Sequence, residues 1–415
     1  MENFVMRDGV DVIRLAIASR MAGALACAGL GVGVIGCQHD PTGVGAGGVH
    51  ERWYQAQPGY GWARPGVLGN MVYFGTGDGQ IIARDVITGN QRWSTRVGPD
   101  AVKGANILVR SGVVVAPVLN YTAGLNAETG QQLWRYEAPK DTTGAPPGGA
   151  TYPGSVVLTR IDADDQTVYI PAWGASVSAV DLKTGAVRWV WQPGRIEGDT
   201  TASGVFRSGS MSVRVSSDTV FATMWHYVNR QGGTSEAWLV ALDRPTGREL
   251  WRVRLPYQGS GTLIDGAPAV YRNLVIVHTV SARTYAIDRT TQRVAWEFTV
   301  PTAALSTNAG AEVYGDMVYV DGGDRNIYAL RASDGGVLWN AAFPSQTSTD
   351  MLVTAQRITF ANGRMLYVLD RQTGKQIAAV TQPRTSDPLF ASPAAFANGL
   401  VFVTVADAAW AFDEP

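Results

Sequence analysis

The chain has 415 residues, of which 17% are charged and 48 are glycine, and its net charge is −1. That length exceeds what one ordinary core fills, and the sparse, balanced charge lacks the electrostatic footprint of a nucleic-acid binder. Abundant glycine with few charges suits an all-β chain with many tight turns and excludes a disordered or mainly helical one.

The N-terminus reads as a targeting segment. Arg14 and Arg20 precede an apolar, small-residue run from Met21 to Ile35, which ends Val34-Ile35-Gly36-Cys37. A basic start, a short apolar stretch and a small-residue cleavage site describe a secretory signal over residues 1–36. The alternative is an uncleaved membrane helix interrupted by two arginines. With Cys27 inside the signal, Cys37 is the one cysteine left to the mature chain. Residues 38–50, rich in glycine, then read as a flexible tether.

The folded region is expected over 51–415. It opens on Glu51-Arg52-Trp53-Tyr54, a strand ending a unit whose beginning is missing. Complete units follow, each with a turn and a Trp: Gly89 and Trp93, Gly130 and Trp134, Gly185 and Trp189, Gly247 and Trp251. Weaker copies carry Trp296 and Trp339, and the seventh has Gly374 but Ala378 at the Trp position. Ten residues before each Trp stands a small residue: Ala83, Gly124, Ala179, Ala241, Ala286 and Ala329. In the seventh unit that position is Val368, so bulk lost on one side is expected to return on the other. Each unit holds four short strands, A to D. The Thr-Gly pair closes the C–D hairpin, its glycine supplying a positive φ at a G1 bulge. The Asp three residues before the Thr caps the turn's free N–H groups.

Four antiparallel strands repeated every ~40–45 residues are blades of a β-propeller. Close to its end the chain carries Trp410-Ala411-Phe412-Asp413, a strand C that stops where its turn should begin. Joined to the strand around Trp53, with Ala411 as that residue's partner, it makes an eighth blade and closes the ring without a free sheet edge.

This Asp-x-x-Thr-Gly-x-x-x-Trp unit resembles the pyrroloquinoline-quinone-like (PQQ-like) repeat family over about residues 51–415. Val-Ile-Gly-Cys resembles the bacterial lipobox, which implies lipid on Cys37 and, with Gln38 following, an address in the outer membrane facing the periplasm. The resemblance further implies a monomeric propeller working as a protein–protein scaffold. Its partner would be a membrane protein or envelope complex, such as an insertase that assembles outer-membrane barrels. Two alternatives stand: a subunit of a different envelope complex, or a quinone-dependent dehydrogenase. Dehydrogenases of this fold hold the quinone near the axis with Ca²⁺, an Asp base and often a vicinal disulfide.

No catalytic constellation stands out, and neither a cofactor nor a metal is expected. Asp321-Gly-Gly-Asp324-Arg-Asn326 has a Ca²⁺-loop flavour but reads as a strand-connecting turn, as does Thr76-Gly-Asp78-Gly79. His278 reads as a structural histidine at a strand end. Strand alternation places the B–C turns and D–A connections on one face, where length varies most. There a B–C insertion, Trp225 to Glu236, offers Trp225, Tyr227 and Arg230 as candidate partner-binding residues.

Overall fold

The computed structural model describes residues 49–415 apart from 60, 100–101, 103–105, 119–120, 140–159, 173–175, 194–207, 230–233, 257–263, 265, 301–309, 345–348, 382–389 and 391. The signal, Cys37 and most of the tether lie outside the described residues.

Eight four-stranded antiparallel sheets form the ring. Seven are contiguous in sequence, beginning with blade 1 (Gly66–Leu68, Met71–Gly75, Gln80–Asp85, Gln91–Arg96). The eighth takes strands A to C from Ala395–Ala397, Leu400–Val405 and Ala408–Asp413, and strand D from Glu51–Ala56. Trp53 lies opposite Ala411, as the split ends of the chain require. Strands B and C are buried on both faces, as in Val113–Val118, whereas strand D alternates. The middle strands are sandwiched between neighbouring blades, so they read as continuous apolar runs.

The small-to-Trp spacing has a direct cause. Tyr73, Ala83 and Trp93 form one row across strands B, C and D of blade 1. Tyr169–Ala179–Trp189 and Tyr319–Ala329–Trp339 repeat it. The small middle residue lets the outer indole reach the inner ring, with centroids 5.7 Å apart for Tyr73 and Trp93 and 5.8 Å for Tyr169 and Trp189. Each row is therefore filled large–small–large at native density. In blade 7 the row is Thr359–Val368–Ala378, with the bulk in the middle.

The same indole also joins one blade to the next. Trp134 Nε1 donates to the Leu182 carbonyl of blade 3 at 2.8 Å. Trp53, Trp93, Trp189 and Trp296 make the equivalent bond to Val86, Ala127, Arg244 and Ala332. Every one of those acceptors directly follows the Asp position of the repeat. The turn glycine lies under the same ring: a Cβ on Gly185 would sit 2.5 Å from Trp134 Cβ. Gly185 has φ +73°, so both backbone and space demand glycine. Blade 5 departs from this, with Gln292 held at φ +57°.

That docking explains Ala378 better than exchange of bulk does. An indole at 378 would need the C–D turn of blade 8, and there the chain is cut. The cut is bridged by charge. Arg92 pairs with Asp85 and Arg188 with Asp181, each at 2.7 Å, within intact hairpins. At the seam Arg52, which also precedes a Trp, pairs with Asp413 at 2.6 Å, and His50 approaches the same carboxylate at 3.1 Å.

Candidate functional site

Two places depart from the repeat: the axis and blade 4. The inner strands A surround the axis, neighbouring one another by parallel bridges between Arg64 and Asn106 and between Arg160 and Ser212. Residues alternate along these strands. Ile107, Ile161, Val213, Ala311 and Met351 turn into the blades and are buried. Between them, in two rows two residues apart, stand Arg64, Asn106, Arg160 and Asp350, then Asp162, Arg214 and Glu312.

Arg160 spans the axis. Its Nη1 donates to Glu312 Oε1 of blade 6 at 2.9 Å and its Nη2 to Asp350 Oδ2 of blade 7 at 2.6 Å. Its side chain is 9% exposed, Glu312 18% and Asp350 13%. Asp350 Oδ1 also accepts the Gly310 N–H at 3.2 Å. From blade 1, Arg64 donates to the Met351 carbonyl at 3.0 Å and lies 3.9 Å from Glu312. Asn106 holds Ile161 by both its N–H and its carbonyl, and Arg214 donates to the Pro268 carbonyl. Three guanidiniums therefore meet three carboxylates (Asp162, Glu312, Asp350), and blades 1, 3, 6 and 7 are tied across the ring.

The protonation equilibria follow from this packing. Burial pushes Arg160 down, but the carboxylates of Asp350 and Glu312 outweigh it and hold the guanidinium above its ordinary value. Burial pushes Asp350 up, and Arg160 and Arg64 outweigh it, leaving the carboxyl below its usual range. Arg64 is lowered by burial and by the neighbouring charge of Arg160. These residues precede or begin strand A, so the network sits at the end of the axis that faces the D–A connections and B–C turns.

In blade 4 the strands are long: Ser208–Ser216, Thr219–Asn229 and Thr234–Asp243. The expected B–C insertion is mostly ladder, since pairing continues to Asn229 opposite Thr234. Strand A of this blade begins at Ser208 and pairs with the same arm as far as His226. Trp225 is 7% exposed, so its ring serves packing at the base of the arm. Tyr227 lies on the arm opposite Ser235, while Arg230 falls outside the described residues. Arg254 donates to the buried Glu236 at 2.9 Å on the return strand.

The other candidates are structural. Asp321 to Asn326 is the B–C turn of blade 6: Asp321 Oδ1 accepts the Gly323 N–H, and Asp324 accepts the Asn326 N–H and the Tyr328 hydroxyl. Thr76 to Gly79 is the matching turn of blade 1, with Asp78 accepting from Thr76 and Gln80. His278 is buried with Nδ1 2.9 Å from Thr284 Oγ1, and burial lowers its pKa to about 4. It is a neutral core histidine at neutral pH. Among the described residues no group of three His, Cys, Asp or Glu could hold a metal ion.

A family model described as outer membrane protein assembly factor BamB matches residues 44–238 and 216–364. The chain belongs to this family of PQQ-like propellers. It is 22% identical over 349 residues to the outer membrane protein assembly factor BamB of Burkholderia pseudomallei, covering 82% of this chain and 81% of that protein. It is also 24% identical over 229 residues to the tetrathionate hydrolase of Acidithiobacillus ferrooxidans, covering 55% of this chain but 43% of that enzyme. The fold matches the quinohemoprotein alcohol dehydrogenase of Comamonas testosteroni with a TM-score of 0.66 at 13% identity, over 91% of this chain and 78% of that one.

The axial network escaped sequence reading, although a signal was there. Strands A carry single charged residues alternating with apolar ones, a pattern that is costly unless the polar side faces partners.

Proposed function

We propose that this chain is a non-enzymatic scaffold of the bacterial envelope, lipid-anchored through Cys37, that supports assembly of outer-membrane proteins. The observation that carries this reading is the BamB family match, which spans nearly all of the first seven blades. The geometry supports it, because the repeat is spent on packing and the departures gather on one face. In this reading that face, with the blade 4 arm that carries Tyr227, docks on a membrane partner such as a BamA-like insertase, with Arg230 as a further candidate contact. Purification of a tagged chain from detergent-solubilised envelopes tests it. Co-recovery of a BamA-like barrel is expected, and recovery of an unrelated envelope complex overturns the assembly role. Cys37→Ala should move the protein from the membrane to the soluble fraction.

The similarity to tetrathionate hydrolase favours a second reading, an enzyme acting on a sulfur oxyanion. Hydrolysis of tetrathionate by the purified chain to thiosulfate, sulfate and one sulfur atom, with release of two protons, would replace the scaffold reading.

A further inference from the structure

The name of the repeat family points to a quinone on the propeller axis. A ligand there needs an open channel and donors not already committed. Pyrroloquinoline quinone carries three carboxylates, so its site must offer cations free of carboxylate partners or a metal with free oxygen ligands. Among the described residues, Arg160 and the carboxylates around it offer neither. Both forks of the Arg160 guanidinium are taken, by Glu312 and Asp350. The second Asp350 oxygen is bonded to Gly310, and Asp162 accepts the Ala163 and Val215 N–H groups. The wall around the axis is tight as well: a Cβ on Gly266 would lie 2.0 Å from Gly310 Cα, so the roots of blades 5 and 6 touch backbone to backbone.

We infer that this propeller fills its own axis: Arg160, clamped between Glu312 and Asp350, occupies the place of an axial ligand, and the quinone does not fit. The three are positioning residues. They fix blades 3, 6 and 7 relative to one another at the mouth of the channel. Opening this mouth requires breaking charge-assisted hydrogen bonds in a water-poor site, which ordinary fluctuations do rarely. The inference is independent of the scaffold reading, since a closed axis suits any activity at the rim.

Two measurements on the folded chain test it. Titration with pyrroloquinoline quinone in the presence of Ca²⁺, followed by Trp fluorescence and by the quinone's absorbance, should show no saturable one-to-one binding. Such binding, weakened by Arg160→Lys, would overturn the inference. Amide exchange at Gly310 should be slow in the parent chain. Arg160→Lys keeps the charge but cannot fork to two carboxylates, so exchange there should quicken about tenfold or more, the equivalent of one charge-assisted bond. Asp350→Asn gives a second variant should the lysine form fail to fold. Fast exchange in the parent, or no change in either variant, would mean that the mouth stands open.

Discussion

Blades are joined in two ways, at the rim and at the axis, and the two use opposite chemistry. At the rim an indole lies on the next blade's turn and donates to one carbonyl, and nearly the same contact recurs from blade to blade. At the axis one guanidinium crosses the ring to two carboxylates, and nothing about it repeats. The rim contact specifies who sits beside whom, which a repeat can encode with one short motif. It cannot distinguish seven blades from eight, because each contact sees only its neighbour. The axial contact relates blade 3 to blades 6 and 7, so it is satisfied only in a ring of the right size. We expect the axis to carry the larger single-residue sensitivity.

Arg160→Leu is the sharpest test of that ranking. It leaves two largely buried carboxylates without their main cation, a change that costs up to about 3–5 kcal/mol. The exposed counterpart, Arg188→Ala, removes a pair of similar length, yet should cost no more than about 1 kcal/mol because solvent replaces the lost partner. Urea melts of the two variants check this. Equal costs would mean that the axis is far wetter than its burial indicates.

Gly185→Ala probes the rim. The new Cβ meets Trp134 and the backbone stays at φ +73°, so strain and overpacking together should cost about 2–4 kcal/mol. Blade 5 offers the reverse change. Gln292→Gly relieves φ +57° and should stabilise by up to about 1 kcal/mol. Loss of stability there would show that the glutamine side chain holds Trp251 by a contact that outweighs the backbone strain.

The rim was legible in the sequence because identical problems were solved identically. Ala83 and Trp93 keep the spacing of Ala179 and Trp189, and the halves at Trp53 and Ala411 complete each other. The turn aspartates, the hairpin reading of Asp321 to Asn326 and the structural reading of His278 rested on the same local regularities. What one sequence conceals is a contact between residues far apart and unique. Arg160 and Asp350 are separated by 190 positions, and neither belongs to a motif. Trp225 shows the converse difficulty: an aromatic in an insertion has the composition of a docking residue, and only the ladder around it shows that it packs inward.

Blade 7 tests whether a rim Trp needs a turn to rest on. Ala378→Trp places an indole where blade 8 has no C–D turn, so it should destabilise by about 1–3 kcal/mol. If exchange of bulk within the row were the whole cause, Ala378→Trp with Val368→Ala would recover the parent stability. With docking as the cause, the double variant stays below the parent in a thermal melt, because the indole finds no turn glycine to rest on, as Trp134 rests on Gly185.

The smallest expected effect concerns the turn carboxylates. Asp181 is held down to about 2 by its hydrogen bond from Arg188, with the Thr184 N–H and hydroxyl adding to it. Its folded pKa lies below its unfolded value, so the stabilisation is present above about pH 4 and is lost as pH falls from there towards 2. The Arg188 side chain is 39% exposed, so solvent screening should keep the contribution under about 1 kcal/mol. Asp181→Asn should therefore lower stability slightly at about pH 6, and the gap should close as pH falls through about 2, where the Asp181 carboxyl takes up its proton in the folded chain. A gap that persists unchanged in acid would assign the loss to the geometry of the amide in the turn, and the charge on this rim would then matter only at the seam, where Arg52 and Asp413 stand in for a peptide bond.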